Sequence, residues 1–237
     1  GVVRILQVGT FGVVATADAV GAIATAEKVR PRVAAVGFHQ YLTLAGRQYR
    51  VMNTTALRHA EADKPLTDVI SSLRDTDWDA QSPCEGWTAR DVLAHVIDTQ
   101  RDFFAGRGVE MGERSDTDRP VEAWRTHTAR IAEILADDSF VSKTYDGYFG
   151  PTTVGATFEQ FYVWDMIVHR WDIARSAGVD VTFSDAELDR MEAGADSFGD
   201  ALYMDGVCAP AVPVPEDADR TARILAKMGR RTAASIG

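Results

Sequence analysis

The chain has 237 residues, 46% hydrophobic and 25% charged, with a formal net charge of −10. That length can bury a core without disulfide staples, and the composition is that of an ordinary globular protein. The acidic balance argues against a nucleic-acid backbone as partner, because phosphate binding needs clustered Lys and Arg, but it leaves small neutral or thiol substrates open.

The charge is unevenly spread. Residues 1–51 hold six basic and two acidic side chains, net +4, whereas the remainder holds 19 basic and 33 acidic, net −14. Such a shift marks two segments of different character. The first is rich in Gly, Ala and Val, and its uncharged run from Ile5 to Ala17 spans 13 residues. No apolar run in the chain reaches the roughly 18–20 residues a membrane span needs. Ala15-Thr16-Ala17 has the small-residue look of a signal-peptide cleavage site, but only Arg4 supplies positive charge ahead of it, which disfavours that reading. The chain begins with Gly, and Met52-Asn53-Thr54-Thr55 resembles a natural start. Residues 1–51 are therefore expected to lie outside the functional domain, as an upstream extension or a misassigned start, with residues 52–237 forming the domain itself.

Beyond residue 52 the signals are helical. A first helix is expected over Thr55–Arg74, with Leu66, Val69, Ile70 and Leu73 on one face and Pro65 kinking or restarting it. A second begins at Thr88, where Asp91 three residues on makes a capping box, and Val92, Val96, Thr99 and Phe103 share a face. A third opens at Pro120, with Trp124, Ile131 and Leu135 as its apolar stripe. Gly147, Gly150, Pro151 and Gly155 make residues 139–155 a loop with room for a small hairpin. A fourth helix is expected from about Ala156 to Ala177, stopped by Gly178, and a fifth from Ser184, boxed by Glu187. Pro210, Pro213 and Pro215 keep residues 209–216 extended, and a short last helix covers Ala218–Met228. Several helices with little strand signal predict an all-α bundle.

The chemistry sits on the fourth helix. Asp165 and His169 are four residues apart, so they lie on one face with Cβ atoms about 5–6 Å apart and can reach one metal ion. Phe158, Phe161, Tyr162 and Val168 share or flank that face, and a carboxylate turned inward is costly unless paired or ligating. Alone the pair is weak evidence, since an Asp–His hydrogen bond at this spacing is common. His95 supplies the missing donor. It flanks the buried face of the second helix, and bundle helices with axes about 8–10 Å apart let facing side chains meet. A satisfied core histidine is its competing reading. Two His and one carboxylate leave coordination positions open, the mark of a catalytic site. Zinc fits this set, and Ni²⁺ or Fe²⁺ also suits it.

Two segments carry a family resemblance. Ser82-Pro83-Cys84-Glu85-Gly86-Trp87-Thr88-Ala89-Arg90-Asp91-Val92-Leu93-Ala94-His95 resembles the start of the second helix in DinB-like proteins, in the branch of mycothiol-dependent maleylpyruvate isomerase and its metal-binding relatives. Asp165 followed by His169-Arg170-Trp171-Asp172-Ile173-Ala174 resembles that branch's second signature, and Ala211–Pro215 with Asp217–Gly229 resembles its closing segment and helix. The similarity covers roughly residues 52–231. It implies a DinB-like four-helix bundle with a small C-terminal extension, a divalent metal at His95, Asp165 and His169, and use of mycothiol, the thiol that replaces glutathione in actinobacteria. Two departures count against the isomerase reaction itself. Position 165 is Asp where the family usually has Glu, and there is no room for the isomerases' second domain.

Other residues divide between roles. Cys84 precedes a helix start, which lowers a thiol's pKa, but a small buried hydrophobe is its plainer role. The two cysteines, Cys84 and Cys208, are too few for a disulfide scaffold and form no CxxC pair, so a reduced, cytoplasmic setting is the default. His127 lies one position off the third helix's stripe, either a substrate contact or an ordinary core histidine. Asp172 is placed to orient His169 or to pair with Arg175. Trp87, Trp164 and Trp171 read as core or pocket lining, while His39 and His59 have no nameable partner. Two functions follow from these readings. One is a metal-dependent thiol transferase or isomerase acting on a small-molecule electrophile; the other is a non-catalytic metal- or ligand-binding bundle with a degraded site. No nucleic acid or membrane partner is expected, and the oligomeric state stays open, a homodimer included.

Overall fold

The structure is a computed structural model. It describes residues 5–9, 12–15, 32–36, 39–44, 47–233 and 235, with side chains from residue 52 onward. Thr16 and Ala17 of the cleavage-site reading, and the side chain of His39, lie outside the described residues. By compactness the chain divides into one unit of residues 1–61 and 128–159 and a second of residues 62–127 and 160–237.

The first unit contains a sheet that composition alone did not announce. Strands β1 (Ile5–Gly9), β2 (Gly12–Ala15), β3 (Arg32–Val36), β4 (His39–Leu44) and β5 (Arg47–Met52) run in the order β2-β1-β5-β4-β3. All neighbours are antiparallel except the parallel pair β1/β5. Helix α1 (Thr54–Ser72) starts two residues after β5 ends. Asn53 makes that junction: its Oδ1 accepts from the Ala56 N–H at 2.8 Å, and its Nδ2 donates to the Leu135 carbonyl at 2.7 Å. Helix α3 (Pro120–Leu135) opens at the expected proline, and α4 (Asp138–Val141) follows it. The Gly-rich loop does hold a hairpin, β6 (Thr144–Gly147) with β7 (Gly150–Thr153), and then α5 (Val154–Thr157). Thr55 donates to Glu159 at 2.5 Å, and His59, buried at 2% exposure, meets Thr128 at 3.5 Å.

The second unit packs the rest of α1 and α3 with α2 (Ala89–Ala105) and α6 (Trp164–Ser176). Leu66, Ile70, Leu93, Ile97, Trp124 and Met166 are fully buried among them. Trp124 donates its indole N–H between Asp63 and Thr67 of α1, at 3.0 and 2.9 Å. Pro65 lies inside α1 without ending it. Thr88 caps α2 with the expected box, accepting from the Asp91 N–H at 3.2 Å while Asp91 accepts from the Thr88 N–H at 2.8 Å. The fourth helix runs over the expected residues, helical from Val154 to Ser176, but it is not α-helical throughout. A π-helical stretch over Phe158–Val163 separates α5 from α6, inserting a wider turn directly ahead of Asp165, a device often found beside functional sites. Helix α6 stops at Ser176, before Gly178 at φ +68°.

Helix α7 (Asp185–Phe198) carries the Ser184/Glu187 box, and α8 (Arg220–Lys227) is capped by Asp219. Gly194 of α7 lets that helix close on α6, because a methyl group there would overlap the Trp164 ring. After residue 52 the architecture is an all-α, DinB-like bundle with the β6/β7 hairpin as its only strands among the described residues. No helix among them is long and apolar enough to cross a membrane.

Candidate metal centre

Every residue of the candidate site belongs to the second unit. Residues 81–88 form a tight loop ahead of α2, closed by the Ser82 N–H donating to the Trp87 carbonyl at 2.8 Å and the Trp87 N–H to the Cys84 carbonyl at 3.1 Å. Gly86, at φ +77°, takes the left-handed conformation this turn requires. The Gln81 amide nitrogen lies 2.9–3.1 Å from three carbonyls of the loop, those of Ser82, Cys84 and Trp87. Cys84 and Trp87 are thereby turned to a cavity of about 1180 Å³, which His95, Asp165 and His169 also line.

His95 on α2 and Asp165 and His169 on α6 are brought together. Asp165 Oδ1 lies 3.2 Å from His169 Nε2, and its Oδ2 lies 3.5 Å from His95 Nε2. One donor atom from each residue falls within 4.8 Å of the others. The His95 and Asp165 side chains are 27% and 20% exposed, against 7% for His169, so the cluster opens toward the cavity on the His95–Asp165 side. Trp87 packs against His95, ring centroids 4.9 Å apart.

Behind His169 stands Asp172, with no exposed surface. His169 Nδ1 is 2.8 Å from Asp172 Oδ2. Of the two partners expected for Asp172, the structure selects His169. Arg175 instead faces Asp180 at 4.0 Å. The cation that balances Asp172 is Arg230, with Nη2 at 2.8 Å from Oδ2 and Nε at 3.3 Å from Oδ1. Sequence reasoning missed Arg230, and no local pattern signals it: it lies 58 residues from Asp172.

The charges are strongly coupled. Burial alone would raise the Asp165 pKa, but the His169 charge and hydrogen bonds from His169 and His95 outweigh it and hold the carboxyl well below its usual range. Burial would likewise lower the His169 pKa, yet Asp165, then Asp172 and Cys84, carry it well above the ordinary value. Asp172 is drawn down to about 2 against its own burial, by the charge of Arg230 and then by His169. Burial pushes the Cys208 thiol up despite Arg230 beside it.

Cys84 is half-buried, its Sγ 3.5 Å from Asp172 Oδ2. Cys84, His169 and Asp172 form a second group with donor atoms within 4.8 Å, but the Arg230 guanidinium already occupies that carboxylate and opposes another cation there. His127 does not enter the site. It is buried, its Nε2 3.0 Å from Gln100 Oε1. Trp87 and Trp164 line the cavity, whereas Trp171 is a buried residue.

Residues 59–174 match the family profile described as Mycothiol maleylpyruvate isomerase N-terminal domain. Two uncharacterized proteins of Mycobacterium tuberculosis, from strains CDC 1551 / Oshkosh and H37Rv, are each 26% identical over 179 residues, spanning 73% of this chain and 96% of theirs. No solved structure gives a significant match. The matched span contains His95, Asp165, His169 and Asp172, and Arg230 lies beyond it. Over residues 59–174 the chain is thus similar to the mycothiol maleylpyruvate isomerase N-terminal domain.

Proposed function

We propose that the chain is a divalent-metal enzyme of thiol chemistry, a transferase or isomerase, whose ion is held by His95, Asp165 and His169. The spacing of the donors carries this reading. A charge-assisted N–H···O bond prefers about 2.7–2.9 Å, and the His169–Asp172 contact at 2.8 Å has that length. The Asp165 contacts at 3.2 and 3.5 Å are longer. Each, from its own oxygen of Asp165, is near the edge of about 3.3 Å that separates two ligands of a tetrahedral ion with bonds of about 2.0–2.1 Å. The donor set fits zinc, and Ni²⁺ or Fe²⁺ shares its preferences.

When bound, the ion supplies Lewis acidity that lowers the pKa of a thiol or water at its open position. The chain's own residues orient and enclose. Asp172 fixes the His169 ring through Nδ1, leaving Nε2 to face Asp165. Trp87 limits rotation of His95. The cavity is roomy enough for a small thiol together with its electrophile, small-molecule sites being about 300–1,000 Å³. Mycothiol is the thiol the family points to. The shorter Asp at position 165 speaks for the alternative of a non-catalytic binding bundle, but its oxygens lie within 3.5 Å of both histidines.

Metal analysis of protein purified without a His tag, followed by thiol-conjugation assays with mycothiol and a panel of electrophiles, tests the proposal. Stoichiometric metal is expected, with turnover that a chelator removes and zinc restores. Metal without turnover across the panel would favour the binding bundle.

We propose further that residues 1–51 lie outside the functional unit, since the site and its cavity are built wholly from residues 81–231. A chain starting at Met52 is expected to keep its helicity by circular dichroism and its metal content. Insoluble expression of that chain would contradict this boundary.

A further inference from the structure

We propose that Arg230, outside the matched domain, is a positioning residue for the metal centre, acting through Asp172 on His169. The inference rests on the metal site proposed above and adds to it a part from the C-terminal segment.

Arg230 follows helix α8 and is held there by its own backbone. Its N–H donates to the Leu225 carbonyl at 2.9 Å, and Gly229, at φ +78°, turns the chain against Ala209. The side chain then enters the interior with 8% of its surface exposed. Nη1 donates to the Met228 carbonyl at 2.9 Å, which fixes the guanidinium plane. Nε and Nη2 meet the two oxygens of Asp172. The Cys84 and Cys208 sulfurs flank the same group at 3.8 and 3.6 Å.

Asp172 cannot act on His169 without this partner. A fully buried carboxylate needs a counter-charge and donors on its lone pairs. The fork of Arg230 supplies both and leaves Oδ2 aimed at His169 Nδ1. An imidazole whose Nδ1–H is committed to a carboxylate presents Nε2 as its ligand atom, in a fixed ring orientation. Without the guanidinium, Asp172 is a buried charge facing one imidazole. It relaxes by turning toward the cavity, and the support of His169 is lost.

Such outer partners typically set metal affinity by about 10–100-fold. Zinc affinity, measured by competition with a chromophoric chelator, is therefore expected to fall by about that factor in Arg230→Met. Arg230→Lys keeps the charge but loses the two-point fork and is expected to fall between Met and wild type. It also serves if Arg230→Met does not fold. In an Asp172→Asn background, Arg230→Met should cost little more, because both changes cut the same connection. Thermal melts of the metal-free variants separate folding from affinity. Arg230 variants with lowered melting temperatures but wild-type zinc affinity would overturn the positioning role while leaving the metal site standing. A wild-type chain that binds no zinc would overturn both.

Discussion

His169→Ala and His95→Ala are each expected to abolish tight metal binding. An open site needs about three protein donors, and either change leaves two. His169 should be the more damaging loss. It is the most enclosed of the three, and it alone is braced from behind by a buried carboxylate. Its removal also leaves Asp165 and Asp172 without the imidazole between them, so the metal-free protein should lose stability as well. His95 sits on the open side of the cluster, against Trp87, Asp165 and the edge of the His169 ring, whose centroid is 5.2 Å away. His95→Ala should therefore melt close to wild type while binding zinc more weakly by more than the roughly 100-fold that an outer partner can cost. Equilibrium titration of zinc into both variants, with thermal melts, checks this. A His95→Ala chain with stoichiometric tight metal would show that the ion sits elsewhere.

Asp165 separates a ligand from a structural hydrogen bond by the order of two substitutions. If Asp165 ligates, Asp165→Asn should weaken zinc binding strongly, because the amide keeps the shape but loses the charge. Asp165→Glu should bind about as well as wild type or better, since the extra methylene restores the reach usual in the family. The structure leaves room for it: Asp165 is 20% exposed and borders the cavity. A structural Asp–His bond predicts the reverse order. Asn can still accept the imidazole N–H and should cost little, whereas Glu on a packed face costs about 1–3 kcal/mol. Zinc titration of the two variants gives the answer, and Asn binding as tightly as wild type would remove Asp165 from the ligand set.

What the sequence disclosed follows from the range of the forces involved. Thr88 with Asp91, Pro120, and Ser184 with Glu187 each act within one helical turn, and all three helix starts appear where those residues place them. The convergence of His95 with Asp165 and His169 was legible because the i,i+4 spacing fixes one face and the apolar flank of α2 fixes the other. The π-helical stretch over Phe158–Val163 was not legible, since nothing in its residue types distinguishes a wide turn from an ordinary one. Asp172 had a local candidate, Arg175, and a distant one that no spacing rule connects. Burial chose Arg230, because Arg175 remains 47% exposed and an exposed cation cannot balance a fully buried carboxylate. The strands among residues 5–52 were not legible, because the Gly-, Ala- and Val-rich composition of that segment sets no clear period of 2.

The most direct measurement is X-ray absorption spectroscopy at the metal edge of the zinc-loaded protein. Coordination by His95, Asp165 and His169 predicts a shell of nitrogen and oxygen scatterers at about 2.0–2.1 Å, with imidazole outer-shell features and no sulfur. A sulfur scatterer at about 2.3 Å would instead place the ion with Cys84, His169 and Asp172 and contradict the account.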